Sequence, residues 1–298
     1  MSSESLFSSF FSNPKAYSFL YRSCLLALEE DGIDATANAI FSSAVRGKAR
    51  ILAKSPMVLA GIEFIPVILR AMEELGYGKA NDCELDIRYK DGSNVSNEEL
   101  AYITGPLRML FKAERVILNY IIHCSGIATL TNAYVKALQG TGITVLDTRK
   151  TMPGLRYPDK YAVLAGGGKN HRMDLEEMIM IRDVYTDYSG SITKAITKVR
   201  ECYKEQCPPI ALECRTLAEV DEAIEAQPQR IMLDNMDSET LTQALSSIPK
   251  HIETEITGGI TLQNIDTIRT LPIYPRYISV GSITHSAPST DCSMYIML

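Results

Sequence analysis

The stretch Leu146–Arg172 reads LDTRKTMPGLRYPDKYAVLAGGGKNHR, and it sets how the rest of the chain is read. It opens at the end of a short apolar run, Ile143 to Leu146, and breaks at Asp147-Thr148-Arg149-Lys150. A Pro153-Gly154 pair marks a turn. A Lys160–Ala165 segment then leads through Gly166, Gly167 and Gly168 to Asn170-His171-Arg172. Arg149, Lys150, Arg156, Lys160, Lys169, His171 and Arg172 gather here against two acids, Asp147 and Asp159. The whole chain carries a net charge of −6, so its cations are concentrated locally. A solvated basic loop is the ordinary explanation of such a cluster. Apolar flanks, a glycine run and a His-Arg pair suit a pocket for a multiply charged anion better.

Working outward, the apolar-run-then-polar pattern recurs. Ile143–Leu146 ends in Asp147-Thr148-Arg149-Lys150, Met178–Ile181 in Arg182-Asp183, and Ile210–Leu212 in Glu213. Ile231–Leu233 ends in Asp234-Asn235, Ile252–Ile256 in Thr257-Gly258-Gly259, and Tyr277–Val280 in Gly281-Ser282. Ser191–Glu205, Leu217–Ala226, Ser238–Ser246 and Leu262–Leu271 between them have helical patterning. Strand, chemical group, helix is the grammar of a parallel β/α barrel, which carries its active residues at the C-terminal strand ends. Six units are too few for a full eightfold barrel, so a partial or irregular one is expected. A single strand-end acid is often just a helix cap; six polar ends in register argue for more.

The N-terminal part lacks this alternation. Helices are expected over Ala16–Asp31 and Gly61–Leu75, and strands over Ala49–Ala53, Met57–Leu59, Cys83–Tyr89 and Leu100–Thr104. Pro106–Gly126 presents a broad apolar face suited to a subunit interface, and a second helix, Ile127–Leu138, is expected after a break at Ser125-Gly126. The fold class is therefore α/β: an N-terminal α+β sandwich domain followed by a partial parallel β/α barrel. The expected divisions are an extension over 1–15, the sandwich domain with its linking helix over 16–126, and the barrel over 127–298. The last strand has room to pair back onto the N-terminal domain.

Composition removes several classes. The acidic balance gives no reason to expect nucleic acid as a partner. No unbroken apolar run of about 18 residues occurs, so no membrane span is expected. The N-terminus lacks the layout of a secretion signal. Seven cysteines, an odd number at irregular spacing, read as reduced thiols of a cytoplasmic protein. The four histidines form no metal-binding motif, so no transition metal is expected; no organic cofactor is expected either.

Longer motifs then become informative. DTRKT-x-PGLR-x-x-x-KYAV-x-x-GGG-x-NHRM resembles the central signature of the quinolinate phosphoribosyltransferases, the carboxylating nicotinate-nucleotide pyrophosphorylases. ER-x-x-LN-x-x-x-x-x-SGIATLT (Glu114–Thr131), MLDNM (Met232–Met236), TGGITL-x-NI (Thr257–Ile265) and VGSITHSAP (Val280–Pro288) are similar to the same family, so the likeness runs from about Tyr17 onward. The resemblance implies transfer of phosphoribosyl from phosphoribosyl pyrophosphate (PRPP) to quinolinate with decarboxylation. The products are nicotinate mononucleotide, pyrophosphate and CO2, in NAD biosynthesis. It implies Arg149, His171, Arg172 and Arg182 as quinolinate ligands, with Arg115 reaching across a homodimer whose active sites are shared; larger assemblies occur in the family. It implies Thr148, Lys150, Glu213, Asp234, Thr257, Gly258, Gly259, Gly281 and Ser282 for PRPP, with Lys150, Glu213 and Asp234 catalytic. Mg2+ is implied on Glu213, Asp234 and the pyrophosphate.

Two departures stand out. Arg182-Asp183-Val184-Tyr185 occupies a segment that is KDNH-like in the family, and Ala211 stands where the family commonly has an acid. Either departure leaves room for a paralogous transferase acting on another pyridine or aromatic acid. A non-catalytic binder that keeps the fold is a further alternative. Such a binder has no need to retain Lys150, Glu213 and Asp234 beside the cations, and all are present.

Overall fold

The computed structural model describes residues 5–297, so the first four residues of the 1–15 extension lie outside it. The chain forms two compact units. One comprises Met1–Asn132, Thr151–Gly167 and Ser282–Leu298; the other comprises Ala133–Lys150 and Gly168–Gly281.

The first unit begins with α1 (Leu6–Phe11) and α2 (Pro14–Glu30). Asn13 caps α2 by accepting the N–H groups of Lys15 and Ala16, and Pro14 sets the first turn. Its buried residues Ala16, Leu20, Cys24 and Leu28 recur every four positions, one face of a helix. After α3 (Ala35–Ile40) come β1 (Arg46–Ala53), β2 (Met57–Val58), α4 (Ile65–Glu74), β3 (Glu84–Ile87), β4 (Asn94–Val95) and β5 (Glu99–Pro106). The chain then enters α5 (Leu107–Ala137), a single helix of 31 residues.

The expected break inside α5 does not occur. The Ser125 hydroxyl accepts the Ala60 N–H at 3.0 Å and donates to the Ala60 carbonyl at 3.2 Å. Gly126 is a packing notch: a Cβ there would stand 2.3 Å from the Pro288 carbonyl oxygen. By length and composition, α5 alone among the described helices could cross a membrane. Its most apolar window is 61% buried within the protein, as in a core helix.

The second unit opens with β6 (Thr144–Leu146). The chain next forms α6 (Arg156–Ala165), a helix of the first unit that the sequence pattern left as an unassigned segment. It returns for β7 (Ile179–Ile181), α7 (Asp183–Ser189), α8 (Ile192–Tyr203), β8 (Ile210–Cys214), α9 (Leu217–Ala226), β9 (Arg230–Asp234), α10 (Ser238–Ser247), β10 (Glu253–Thr257), α11 (Ile265–Arg269) and β11 (Tyr277–Ser279). These strands make one parallel sheet in the order β6-β11-β10-β9-β8-β7, the six strands expected from the sequence. In that order β6 and β7 are the two edges, so the sheet is a part-barrel. The expected helix over 262–271 shortens to α11, because Thr261 and Asn264 bond each other across the preceding turn.

Finally α12 (Ser282–His285) and β12 (Cys292–Met297) rejoin the first unit. β12 pairs antiparallel with β1, from Lys48 opposite Met297 to Ala53 opposite Cys292. The resulting sheet runs β12-β1-β5-β3.

Candidate functional site

The cationic centre is built by one buried acid. Asp147 follows β6 and is fully buried. Its carboxylate accepts the His171 N–H at 2.8 Å and the Asn170 side-chain amide at 2.6 Å. The Lys169 N–H donates to Val145 and the Asp147 N–H donates to Lys169, so the segment after the glycine run lies along the end of β6. This clamp carries Arg172 to the strand end that bears Arg149. The Arg172 guanidinium donates through Nη1 to the Met178 carbonyl at 2.7 Å. Burial first, then the Arg149 and Arg182 guanidiniums, lower the Arg172 pKa from its ordinary value. Like charges gathered in a half-buried place favour an anion among them. The buried Nε of Arg149 and of Arg172 each lack a partner among the described residues, which leaves donors for such an anion. Arg182 follows β7, and its guanidinium lies 5.9 Å from the Tyr185 ring centre.

The acids stand on the neighbouring strands. Glu213 lies in β8 and Asp234 ends β9, its paired neighbour. Burial raises the Glu213 pKa, Asp234 and Asp183 raise it further, and Arg182 and Arg215 oppose them. A cationic side and an acidic side therefore meet around Arg182. Asn235 turns the chain after β9 with φ 53°; its N–H donates to the Thr257 carbonyl and its amide donates to Asp234 at 3.0 Å. This fixes Thr257-Gly258-Gly259 after β10. The φ of +88° at Gly258 is left-handed, which calls for glycine, and a Cβ there would lie 2.4 Å from Asn235 Oδ1 and displace that side chain. Gly281 follows β11, whose end is tied to β6 by the Val280 N–H donating to Leu146.

The second unit thus holds Arg149, Arg172, Arg182, Glu213 and Asp234 as one electrostatically coupled group. It also carries Thr148, Lys150, His171, Thr257, Gly258, Gly259 and Gly281. Lys150 is exposed, and its N–H donates to the Thr148 hydroxyl at 3.0 Å. Arg115 is exposed on α5 in the first unit, and Ser282 starts α12 there. Among the described residues no cluster of three or more His, Cys, Asp or Glu forms a ready-made metal cage.

Sequence reasoning passed over Asp147, Asp183, Arg230 and Glu255. Arg230 binds Glu255 at 2.9 Å and Glu253 at 2.8 Å. For Arg230 and Glu255 the available signal was charge inside strands that otherwise read as apolar core; Asp147 and Asp183 stood among the polar strand ends with no role assigned. His123 pairs at 2.6 Å with Asp159, and His285 bonds locally to Ser286.

Two family models match the chain: the quinolinate phosphoribosyl transferase N-terminal domain over residues 34–125 and its C-terminal domain over 127–295. A probable carboxylating nicotinate-nucleotide pyrophosphorylase of Bacillus subtilis is 38% identical over 273 residues, 91% of each chain. A decarboxylating quinolinate phosphoribosyltransferase of Nicotiana tabacum is 36% identical over 293 residues, 91% of this chain and 80% of that one. The crystal structure of NadC from Streptococcus pyogenes superposes with a TM-score of 0.84 at 37% identity, covering 93% of this chain and 96% of that one. With both domain models matched in order and the strand-end cations and acids in place, the chain belongs to the quinolinate phosphoribosyl transferase family.

Proposed function

We propose that this protein transfers phosphoribosyl from PRPP to quinolinate and decarboxylates the product, giving nicotinate mononucleotide, pyrophosphate and CO2. The observation that carries this reading is the grouping of Arg149, Arg172 and Arg182 beside Glu213 and Asp234 at the strand ends. Quinolinate carries two adjacent carboxylates, and planar guanidiniums bind such groups bidentately. The unpartnered Nε donors of Arg149 and Arg172 suit them. His171 belongs to the same site, and Arg115 of a second copy would complete it.

The ring nitrogen lone pair attacks the anomeric carbon of PRPP, and the carbon–oxygen bond to pyrophosphate breaks with its electrons. Glu213 and Asp234 offset the positive charge that develops on the ribose, and Lys150 meets the leaving charge. The backbone of Thr257-Gly258-Gly259 and Gly281-Ser282 offers N–H groups to the 5′-phosphate. Once the nitrogen is quaternised, the bond to the 2-carboxylate releases CO2, and a proton from solvent replaces it.

Glu213 and Asp234 also suit Mg2+ arriving with the pyrophosphate, which would neutralise its charge. Mg2+ is typically held by one or two carboxylates plus substrate phosphates, and the crowding that raises Glu213 favours a cation there. A homodimer with shared sites, and a cytoplasmic location in keeping with free thiols at all seven cysteines, belong to this reading.

The test is an assay with carboxyl-labelled quinolinate, PRPP and Mg2+, with nicotinate in parallel. Label released as CO2 only when both substrates are present is the expected result. Turnover of nicotinate without quinolinate turnover would favour a paralogous transferase, for which the Arg182–Tyr185 segment is the place to look.

A further inference from the structure

His171 is buried, and both of its ring nitrogens face groups of this chain. Nδ1 accepts the Arg172 backbone N–H at 2.7 Å. A ring nitrogen that accepts a hydrogen bond carries a lone pair, so the ring's proton sits on Nε2. Nε2 lies 3.3 Å from Glu255 Oε2. That same oxygen receives Arg230 Nη1 at 2.9 Å, and Arg230 Nη2 reaches Glu253 at 2.8 Å. Burial alone would raise the Glu255 pKa, and the Arg230 guanidinium is among the neighbours that hold it below its ordinary value. The result is a run of polar and charged contacts from β9 through β10 to the segment after the glycine run, with His171 Nε2 packed against the Glu255 carboxylate. It ends on the backbone of Arg172, whose guanidinium is the one perturbed by Arg149 and Arg182.

We propose that His171 serves quinolinate binding as a neutral strut, held by Glu255 and Arg230, which sets Arg172 beside Arg149. Glu255 and Arg230 are then positioning residues for the dicarboxylate site, although neither touches the substrate. This role rests on quinolinate being the substrate. It differs from the obvious one for a histidine among arginines, that of a further cation on a carboxylate. An imidazolium has N–H on both nitrogens, and Nδ1 could not then accept from Arg172. For metal-ligating histidines, losing the partner that fixes the ring's tautomer and orientation costs about tenfold or more, and an effect of that order is expected here.

Two measurements test the proposal. In nitrogen-15 NMR of the histidine-labelled full chain, with and without quinolinate, the signal removed by His171→Asn should be a neutral ring protonated on Nε2 at about neutral pH. A ring protonated on both nitrogens, or on Nδ1 alone, overturns the strut. In kinetics, Glu255→Gln should raise the KM for quinolinate about tenfold and leave the KM for PRPP unchanged. His171→Asn, whose amide oxygen can stand in for Nδ1, should keep more quinolinate affinity than His171→Gln. An unchanged quinolinate KM in Glu255→Gln, or the reverse order of the two His171 variants, also overturns it. If Glu255→Gln fails to fold, the NMR result on the native chain decides. If the native chain does not turn over quinolinate, the functional reading fails, while the NMR still judges the strut.

Discussion

Glu213 shows how a residue's neighbours set its working range. Burial, Asp234 and Asp183 all raise its pKa, and its role requires the ionised form. The acidic limb of kcat/KM, which reports the free enzyme, should therefore lie above the range of an ordinary glutamate. Asp183→Asn removes one of the raising charges and keeps an oxygen for the Val184 N–H, which Asp183 accepts at 2.7 Å. A pH–rate profile of this variant should show the limb moved to lower pH; an unmoved or raised limb would refute the coupling. Asp91 gives the matching case for stability. Burial pushes its pKa up to about 7, although its carboxylate accepts the Tyr161 hydroxyl at 2.7 Å and the Ile62 N–H at 3.1 Å. The folded chain holds this proton where the unfolded chain has lost it, so the contribution to stability is full at low pH and is lost as pH rises toward about 7. Asp91→Asn cannot ionise. Relative to the native chain its Tm should fare better at pH about 8 than at pH about 5; equal differences at both would refute the shift. Composition revealed the charges of Asp147 and Asp159 but not their partners. Asp147 looked like a minor acid in a basic loop, yet it fixes the backbone that presents His171 and Arg172. Asp159 likewise accepts the Met152 N–H at 2.9 Å while pairing with His123.

At the scale of elements, the strands of the second unit were legible because each is a short apolar run with a polar or glycine end. That signal needs no knowledge of long-range partners. α5 was misread as two helices because Ser-Gly is a common local break, and only its neighbours show why it is not one here. Ser125 bonds both backbone groups of Ala60, and Gly126 lies against the backbone at Pro288. The two influences on Gly126→Ala oppose each other. Alanine is favoured over glycine by about 1 kcal/mol in a helix interior, but its Cβ would meet a carbonyl oxygen at 2.3 Å, and that oxygen belongs to backbone. The clash should win, and thermal unfolding of Gly126→Ala should begin at lower temperature than in the native chain. A raised Tm would show that the 288 segment yields easily. α6 escaped notice because Pro153-Gly154 and the glycine run bracket it closely, leaving ten residues with no side-chain cap.

For the whole molecule, the return of β12 to β1 joins residues such as Lys48 and Met297, a pairing that no local pattern encodes. The candidate site has the same property. Its barrel residues could be read from strand ends, whereas Arg115 entered only through its motif and sits exposed on α5 in the other unit. Its proposed role demands a second copy of the chain, and that requirement can be measured. Arg115→Ala and Arg172→Ala should each lose most activity, since hydrogen bonds to charged groups contribute about 1.5–3 kcal/mol apiece. In a shared dimer, one copy lends its arginine to the barrel of the other. Mixing the two variants then creates dimers in which one site has lost both arginines and the other keeps both. After re-equilibration, random exchange would make half of the dimers mixed, each with one complete site. Recovery should therefore approach about one quarter of native activity, as closed two-fold assembly requires. No recovery, with exchange confirmed by a mass tag on one variant, would mean that Arg115 acts within its own chain or not at all.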